Sequence, residues 1–550
     1  MNGLVRIDEE VSLSSSRKLL GLIGLSTLLR LVWSTSLGLG NDEAYHYLFP
    51  FRTDWSYVDH PPMLAVIEAL GLMCTGGWVY PISLRLGFIA LFAGSTWLMA
   101  RLTTRLYGEQ AGLLAAFALN ITPYYSVAAG SFALPDGPFL FFWLLTMNAL
   151  VLAFEQPNEP TAWAWVGLAW GAAMLSKYLA VFVPMGVLLY FVLCPRHRNC
   201  LWNRGPYLAF AIGVLLFSPV LWWNWRHGWV SFAFQGGRAL GGTRLRPDAF
   251  FLAIGGQILY LSPWIWFALV AVLGRQRHRL FGNANASARF LLCQAVPPLL
   301  LFSLVSCTRP VLPHWSLVAF LPLFPFLGMT WAEKLRDETS GLRGRLRLGA
   351  VITAALVSLV LIQARSGVIP IPHDPTHDFY GWDQVATELK RRGILDPSRQ
   401  EFLFTSRWYY SGQLSFATRD SKPILCYNAR HAQGFAYWSS PEEWVGRDGI
   451  YVGVNDCSAE VDYFAQWFKS AETLGDFTVF RGGRPIRRIH LYRFISQTKP
   501  FPFGNSPRPR KSRLPVESVS TPPGLVHDSS PQFPRGKTSP AQAQWSGGRR

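Results

Sequence analysis

Long apolar runs recur along the first two thirds of this 550-residue chain, and they decide what it can fold into. We read eleven of them as membrane spans, at about 19–39, 82–100, 111–128, 138–154, 162–176, 178–194, 207–223, 250–273, 290–306, 314–331 and 348–364. About 20 apolar residues in a helix cross the hydrocarbon core, and a helix satisfies its own backbone polar groups there. Several runs are short, and the fifth and sixth meet at Lys177, which marks them as broken or re-entrant. Only 15% of the residues are charged, where soluble domains carry roughly a quarter. The first run is long enough to span and no small-residue cleavage pattern follows it, so a signal peptide is not expected.

The formal charge of +18 would suit nucleic acid if it were gathered on one folded surface. It is not. About seven of those charges fall in residues 496–550, and most of the rest flank apolar runs. Arg101 and Arg105, then Arg196, Arg198 and Arg204, then Arg275, Arg277 and Arg279, then Lys334, Arg336, Arg343, Arg345 and Arg347 mark one side of the membrane. The Gly40–Pro81 loop on the other side has Arg52 as its only lysine or arginine. Basic loops face the cytoplasm, and Arg17 and Lys18 at the amino terminus agree. The connection from Glu155 to Pro160 lacks basic residues and runs against the pattern. An odd number of spans then places the Gly40–Pro81 loop and everything from about residue 370 outside the cytoplasm.

The predicted architecture is a mostly α, polytopic membrane protein with a small α/β extracytoplasmic C-terminal domain and a disordered tail. Its divisions are 1–369, 370–495 and 496–550. Trp382–Arg391 has helical spacing, while EFLFT, PILCY, GIYVGVN and RIHLYRF have the composition of short strands. The tail turns to Pro, Ser, Gly and Arg with few apolar anchors. The seven cysteines include no CxxC pair, so a zinc ribbon or thioredoxin-like site is not supported. Cys426 and Cys457 lie in one polar region, where a disulfide and two free thiols both stay open.

Chemistry concentrates in GNDEAYHYLFPFRTDWSYVDHPP, residues 40–62. Asn41 is placed to cap a short helix that begins at Asp42, with Asp42 and His46 four apart and Glu43 three from His46. Asp59 and His60 precede Pro61 and Pro62, which set a second helix start. Acids at helix starts are often only solvated caps. Two such starts in one short loop make a shared site the better reading. Asp136 lies at the start of the fourth span, where capping alone would also explain it. Lys177 sits between apolar runs, where an ammonium needs an anion or an exit to the surface. Loops on the same side add Arg226, His227, Arg238, Arg244, Arg309 and His314. Acids that deprotonate an acceptor, beside cations that hold a departing phosphate, form a coherent set.

NDEAYHYLF, DWSYVDHPP, LPDGPFLFFW and LSKY resemble the signature segments of GT-C glycosyltransferases. Specifically they resemble bacterial relatives of protein O-mannosyltransferases and lipid A aminoarabinose transferases. The resemblance is strong over the first 180 residues. It is moderate at GGQILYLSP, PHWSLVAFLP and YGWDQVATEL, and absent from the last fifty. It implies a GT-C-like enzyme that moves a sugar from a polyprenyl-phosphate donor to a lipid, glycan or protein acceptor. The reaction would take place on the extracytoplasmic face of a bacterial plasma membrane.

Carried over residue by residue, Asp42 takes the base or acceptor-orienting role and Glu43 supports it. Asp136 and Lys177 match an aspartate of the second outer loop and a lysine near the donor phosphate. Asp59–His60 stands where aminoarabinose transferases have an acid–lysine pair, which removes the basis for carrying over a lysine–phosphate contact. Some relatives hold a divalent metal here, and Asp59, His60 and His314 are residue types that can ligate one. The sequence does not assign a metal site. No nucleotide-binding glycine loop is present, as expected if the donor is lipid-linked. The rival readings are a transporter, which would carry midplane charges and internal repeats, and a non-catalytic or polymerase-type protein of surface-glycan assembly.

Overall fold

The computed structural model describes residues 13–239, 244–281, 285–372 and 374–503. The first part of the chain is helical. In chain order its helices are α1 (Leu13–Ser36), α2 (Asn41–His46), α3 (Met63–Cys74), α4 (Pro81–Tyr107), α5 (Glu109–Asn120), α6 (Asp136–Glu155) and α7 (Pro160–Ser176). There follow α8 (Phe182–Leu193), α9 (Arg204–Arg226), α10 (Val230–Ala239), α11 (Pro247–Leu261), α12 (Pro263–Gln276), α13 (Ala286–Ser306), α14 (Phe324–Leu335) and α15 (Leu342–Ser366).

Seven helices among the described residues are long and apolar enough to cross a membrane, or nine if two bent pairs each count as one span. The bent pairs are α5 with Tyr124–Ser131, at 78°, and α11 with the segment from Pro263 to Leu280, at 110°. The expected eleven spans are thus supported as a polytopic architecture and not as a count. The shortfall lies in the fifth and sixth runs, which form helices of 17 and 12 residues. Between them the chain opens at Lys177, whose backbone is extended. Near-uniform apolar surfaces on α1 and α15, such as Leu25, Leu28, Leu356 and Val360, face outward, as lipid-facing helices require. The larger core is formed by α4–α8, α13 and α14 around Trp143, Trp163, Tyr190 and Phe290.

The remainder is α/β, as read from the sequence. It contains α16 (Trp382–Arg391), β1 (Phe402–Thr405), α17 (Trp408–Thr418), β2 (Ile424–Cys426), β3 (Gly449–Val454), α18 (Ser458–Ala465), β4 (Phe468–Arg481) and β5 (Arg484–Gln497). The strands lie in the order β2-β1-β3-β5-β4. β1 pairs in parallel with both β2 and β3, with Leu403 opposite Ile424 and Ile450. β5 is antiparallel to β3 and β4. Gly482 and Gly483 both take positive φ, 55° and 77°, and give β4–β5 the two-residue turn that suits strand twist. β4 was not foreseen. Its FKSAETLGDFTVFR sequence is mostly exposed because it forms the sheet edge. Cys426 and Cys457 are separate buried thiols. Most of the region expected to be a disordered tail, residues 504–550, lies outside the described residues.

The α/β region packs directly on the loop that carries the acids. The Gln413 amide of α17 donates to the carbonyls of Leu39 and Asp378, at 3.0 and 2.9 Å, and to Asn41 Oδ1 at 3.2 Å. Trp408, Phe435 and Trp438 surround the Tyr45 ring, and the Gly434 amide donates to the Tyr45 hydroxyl at 2.9 Å. Gly412 allows the closest approach. A Cβ there would lie 2.7 Å from the Tyr45 backbone. Gly412→Leu therefore should loosen the α/β region, releasing a C-terminal fragment faster on limited proteolysis in detergent. Gly344→Leu, which has nothing within 4 Å of its Cβ position, is the control. Equal cleavage of both variants and the unaltered protein would refute this packing.

Candidate active site

The site begins with α2. Gly40, and not Asn41 as expected, is the N-cap, and Asn41 is the first residue of the helix. The Glu43 side chain reaches back to the Gly40 amide at 2.9 Å. Its carboxylate also receives the Ala133 amide at 2.9 Å, Arg85 Nε at 2.7 Å and Arg85 Nη2 at 2.6 Å. Four donors on two oxygens use all the lone-pair sites a carboxylate offers. Glu43 is therefore an anchor, with no free lone pair to act as a base. Arg85 is wholly buried and also donates to the carbonyls of Ser34, Leu37 and Gly38, at 3.0, 3.0 and 2.7 Å. Sequence reading missed it. The available signal was an arginine near the start of an apolar span, PISLRLGF, which needs either an anion or a route to the surface.

This anchor leaves Asp42 exposed while Glu43, Ala44, Tyr45 and His46 are buried. Asp42 and His46 therefore do not share one open face. Asp378, also unforeseen, lies near Asp42. Burial pushes its carboxyl above the ordinary aspartate range, against the pull of Arg487 and Asn41, and Asp42 adds to the rise.

Asp59 and His60 come from the turn before α3, which starts directly after Pro62 as the two prolines predict. The Tyr45 hydroxyl lies 3.4 Å from Asp59 Oδ1, and Gln235 of α10 donates to the Asp59 carbonyl at 2.9 Å. Burial, and next the Asp59 charge, hold the Tyr45 phenol well above its usual range, so it stays a donor. His46 points toward this pair, with its ring 5.3 Å from that of His60. One ligand atom each from His46, Asp59 and His60 lie within 4.8 Å of one another, a set that can hold a metal ion. The expected third member, His314, is elsewhere.

A second group forms at the start of α6. Lys177 Nζ donates to Asp136 Oδ1 at 2.6 Å, and the Tyr124 hydroxyl bonds the same oxygen. His314 stacks on the Tyr124 ring at 6.2 Å and 16°. Lys177 therefore meets an anion of the protein itself and does not simply snorkel. Arg309 donates to the Gly237 carbonyl at 2.8 Å, which ties α10 to the loop before residue 313. Arg244 is exposed, and the side chain of Arg238 lies outside the described residues.

The chain is similar to several known proteins. A family model described as dolichyl-phosphate-mannose-protein mannosyltransferase matches residues 59–223. The lipid A galacturonosyltransferase RgtD of Rhizobium johnstonii is 25% identical over 285 residues, covering 51% of this chain and 58% of the relative. The undecaprenyl phosphate-alpha-4-amino-4-deoxy-L-arabinose arabinosyl transferase of Erwinia tasmaniensis is 23% identical over 345 residues, 60% of this chain and 59% of the relative. The chain thus spans somewhat more than half the length of these curated relatives. The crystal structure of ArnT from Cupriavidus metallidurans bound to undecaprenyl phosphate superposes with a TM-score of 0.58 at 16% identity, covering 86% of this chain and 97% of that one. The resemblance carried by the loop motifs thus holds in family model, in sequence relatives and in fold.

The Asp136–Lys177 pair is largely buried, with side chains 13% and 11% exposed. Removing one partner of such a pair leaves an uncompensated charge, at a cost of about 3–5 kcal/mol. Lys177→Ala should therefore lower the detergent unfolding midpoint clearly, and Lys177→Ala/Asp136→Asn should recover much of the loss. A single variant as stable as the unaltered chain would mean that the pair is not formed.

Proposed function

We propose that this chain is a membrane glycosyltransferase that moves a sugar from a polyprenyl-phosphate donor to an extracytoplasmic acceptor, which is a lipid, a glycan or a protein. The observation that carries this reading is the contrast within one helix turn. Glu43 is saturated by four donors, while its neighbour Asp42 is exposed. A carboxylate held on a rigid element and open on one side is what a positioned general base requires. Two of the relatives' names support the donor class, one with dolichyl-phosphate-mannose and one with undecaprenyl phosphate, while the name of RgtD gives lipid A.

In this reading the Asp42 carboxylate takes the proton from an acceptor hydroxyl or amine. The acceptor oxygen or nitrogen bonds to the anomeric carbon as the bond from that carbon to the phosphate oxygen breaks. The electron pair leaves with the polyprenyl phosphate. Lys177, Arg238, Arg244, Arg309 and His314 are the groups that would meet its growing charge. Because Asp136 already offsets Lys177, the arginines carry more of the net positive field than the sequence alone suggested. His46, Asp59 and His60 have the donor atoms to hold a divalent metal, which would supply further charge for a phosphate or acceptor. We assign residues 1–369 to transfer, 370–495 to an outer domain that covers the site, and 496–550 to an appended tail. The site would face outward from a bacterial plasma membrane. Acids at helix starts, paired or saturated, fit a transferase better than a transporter, whose charges line a midplane path.

Asp42→Asn keeps the shape and removes the base. Transfer from a panel of undecaprenyl-phosphate-linked galacturonose, aminoarabinose and mannose, read as release of undecaprenyl phosphate, should fall at least about a hundredfold. The unfolding midpoint should not change. Near-normal turnover by folded Asp42→Asn protein would remove Asp42 from the chemistry, and no transfer by the unaltered chain from any such donor would reject the function.

A further inference from the structure

We propose that the α/β region carries a binding site for a hydroxylated anion, a sugar bearing a carboxylate or a phosphate, in a polar cavity at the sheet edge turned away from the first loop. The cavity has a volume of about 440 Å³, and Arg399, Glu401, Arg447, Asp448 and Arg493 are among its lining residues. Its place follows from the topology. After β1 the chain enters α17, whose Trp408 packs on Tyr45, and beyond β2 it reaches Gly434, whose amide donates to the Tyr45 hydroxyl. The carboxyl ends of these parallel strands therefore face the first loop. Residues 399–401 and 446–448 immediately precede β1 and β3, so the cavity opens at the opposite strand ends.

Hydrogen bonds fix the walls. The Lys422 ammonium donates to the Arg399 carbonyl at 2.8 Å. The Gly446 amide donates to the Gln497 carbonyl at 2.7 Å, and the Gln497 amide donates to the Arg447 carbonyl at 2.9 Å. The Ser496 amide donates to Asp448 Oδ1 at 2.8 Å, and the Phe402 amide to the Asp448 carbonyl at 3.2 Å. The sheet itself thus holds the backbone of both rims. A ligand meets a formed cavity, and little chain has to be ordered when it binds.

Charge decides the class of ligand. Three guanidinium groups line the cavity against two carboxylates. Glu401 is already met by Arg493 at 2.9 Å, and Arg493 also reaches Glu472 at 3.0 Å. Arg399 and Arg447 form no ion pair with a carboxylate among the described residues. They stand just before two neighbouring parallel strands, which lie about 4.8 Å apart, so their side chains can converge on one anion. Arg447 is steadied by the Trp444 ring, 5.4 Å from its guanidinium carbon. The planar fork of arginine matches the paired oxygens of a carboxylate or a phosphate.

The interior of the cavity asks for a second kind of group. Arg493 Nε and Glu401 Oε2 are buried and have no hydrogen-bond partner among the described residues. Lys422 lies 3.9 Å from that Glu401 oxygen, beyond hydrogen-bond reach. Buried polar atoms are normally paired, and here one is a donor and the other an acceptor. A hydroxyl serves both, because it donates and accepts at one atom. An anionic group for Arg399 and Arg447, beside hydroxyls for Glu401 and Arg493, describes a uronic acid or a sugar phosphate. Inorganic phosphate would engage the arginines without the ring hydroxyls. Binding stands on these residues alone and holds whether or not sugar transfer is the reaction.

The test uses full-length protein in detergent and saturation-transfer difference NMR with D-glucuronate, glucose-6-phosphate and neutral D-glucose, with inorganic phosphate as competitor. The expected result is saturable binding of a sugar anion, at least about tenfold tighter than binding of D-glucose or inorganic phosphate. Tighter binding of D-glucuronate marks a uronic acid as the ligand, and tighter binding of glucose-6-phosphate marks a sugar phosphate. Arg399→Gln and Arg447→Gln should each weaken binding at least about tenfold. Both side chains are exposed, so the unfolding midpoint should not move. Arg430→Gln, the same charge change at an exposed position beyond β2, should leave binding unaltered. No saturable binding of either sugar anion, inorganic phosphate that competes as an equal, or binding that survives in both cavity variants would each overturn the site. None of these readouts involves transfer, so failure here and failure of the proposed function are distinguishable.

Discussion

The Glu43–Arg85 ion pair is the interaction on which the rest of the candidate site depends. Arg85 donates to Glu43 through two nitrogens and to three carbonyls at the end of α1. Glu43 in turn holds the Gly40 amide at the start of α2 and the Ala133 amide just before α6. One buried contact therefore joins α1, α2, α4 and the approach to α6. Isolated buried ion pairs are weak evidence for stability, because desolvation offsets the attraction. Here the five donors of Arg85 are engaged, and the pair specifies one arrangement of four chain segments. Its role is to set geometry.

Around that anchor the carboxylates divide their work by environment. Glu43 is saturated, Asp136 is paired with Lys177 and Tyr124, and Asp59 faces two imidazoles. Asp42 and Asp54 are both exposed, and Asp54 accepts from the Trp223 indole. Neighbouring carboxyl groups acquire different functions through burial and partners, and no other property of the side chain needs to differ. The α/β region takes part in this. Trp408, Phe435 and Trp438 enclose Tyr45, and Asp378 comes near Asp42. It completes the wall of the site as well as sitting beside it.

Much of this was legible in the order of residues. Acids before prolines marked the starts of α3 and α6, and the break at Lys177 fell where two apolar runs met. These signals are local, and helix termini are governed by local chemistry. What was not legible came from distance. Arg85 finds its partner 42 residues away, and in isolation an arginine near a span end suggests snorkelling. His46 was read by helical spacing as a companion of Asp42. A six-residue helix pressed between two other segments buries one of them and exposes the other. His314 was grouped with Asp59 and His60 by residue type, whereas its ring stacks on Tyr124 in the other cluster. β4 escaped because an edge strand carries polar residues on much of its surface. The count of spans is supported only in part, because short helices and sharp bends stand among the straight crossings.

The central claim is that the Glu43–Arg85 pair holds Asp42 in register for transfer. A double-mutant cycle with Glu43→Gln, Arg85→Met and the double variant tests it most directly, reading undecaprenyl phosphate release in proteoliposomes. Misplacement of a catalytic group by about 1 Å can cost about a hundredfold in rate, so each single change should lower transfer on that scale. The double variant should be scarcely worse than either single, because both remove the same constraint. Losses that multiply in the double variant, or single variants that transfer at the normal rate, would contradict the account.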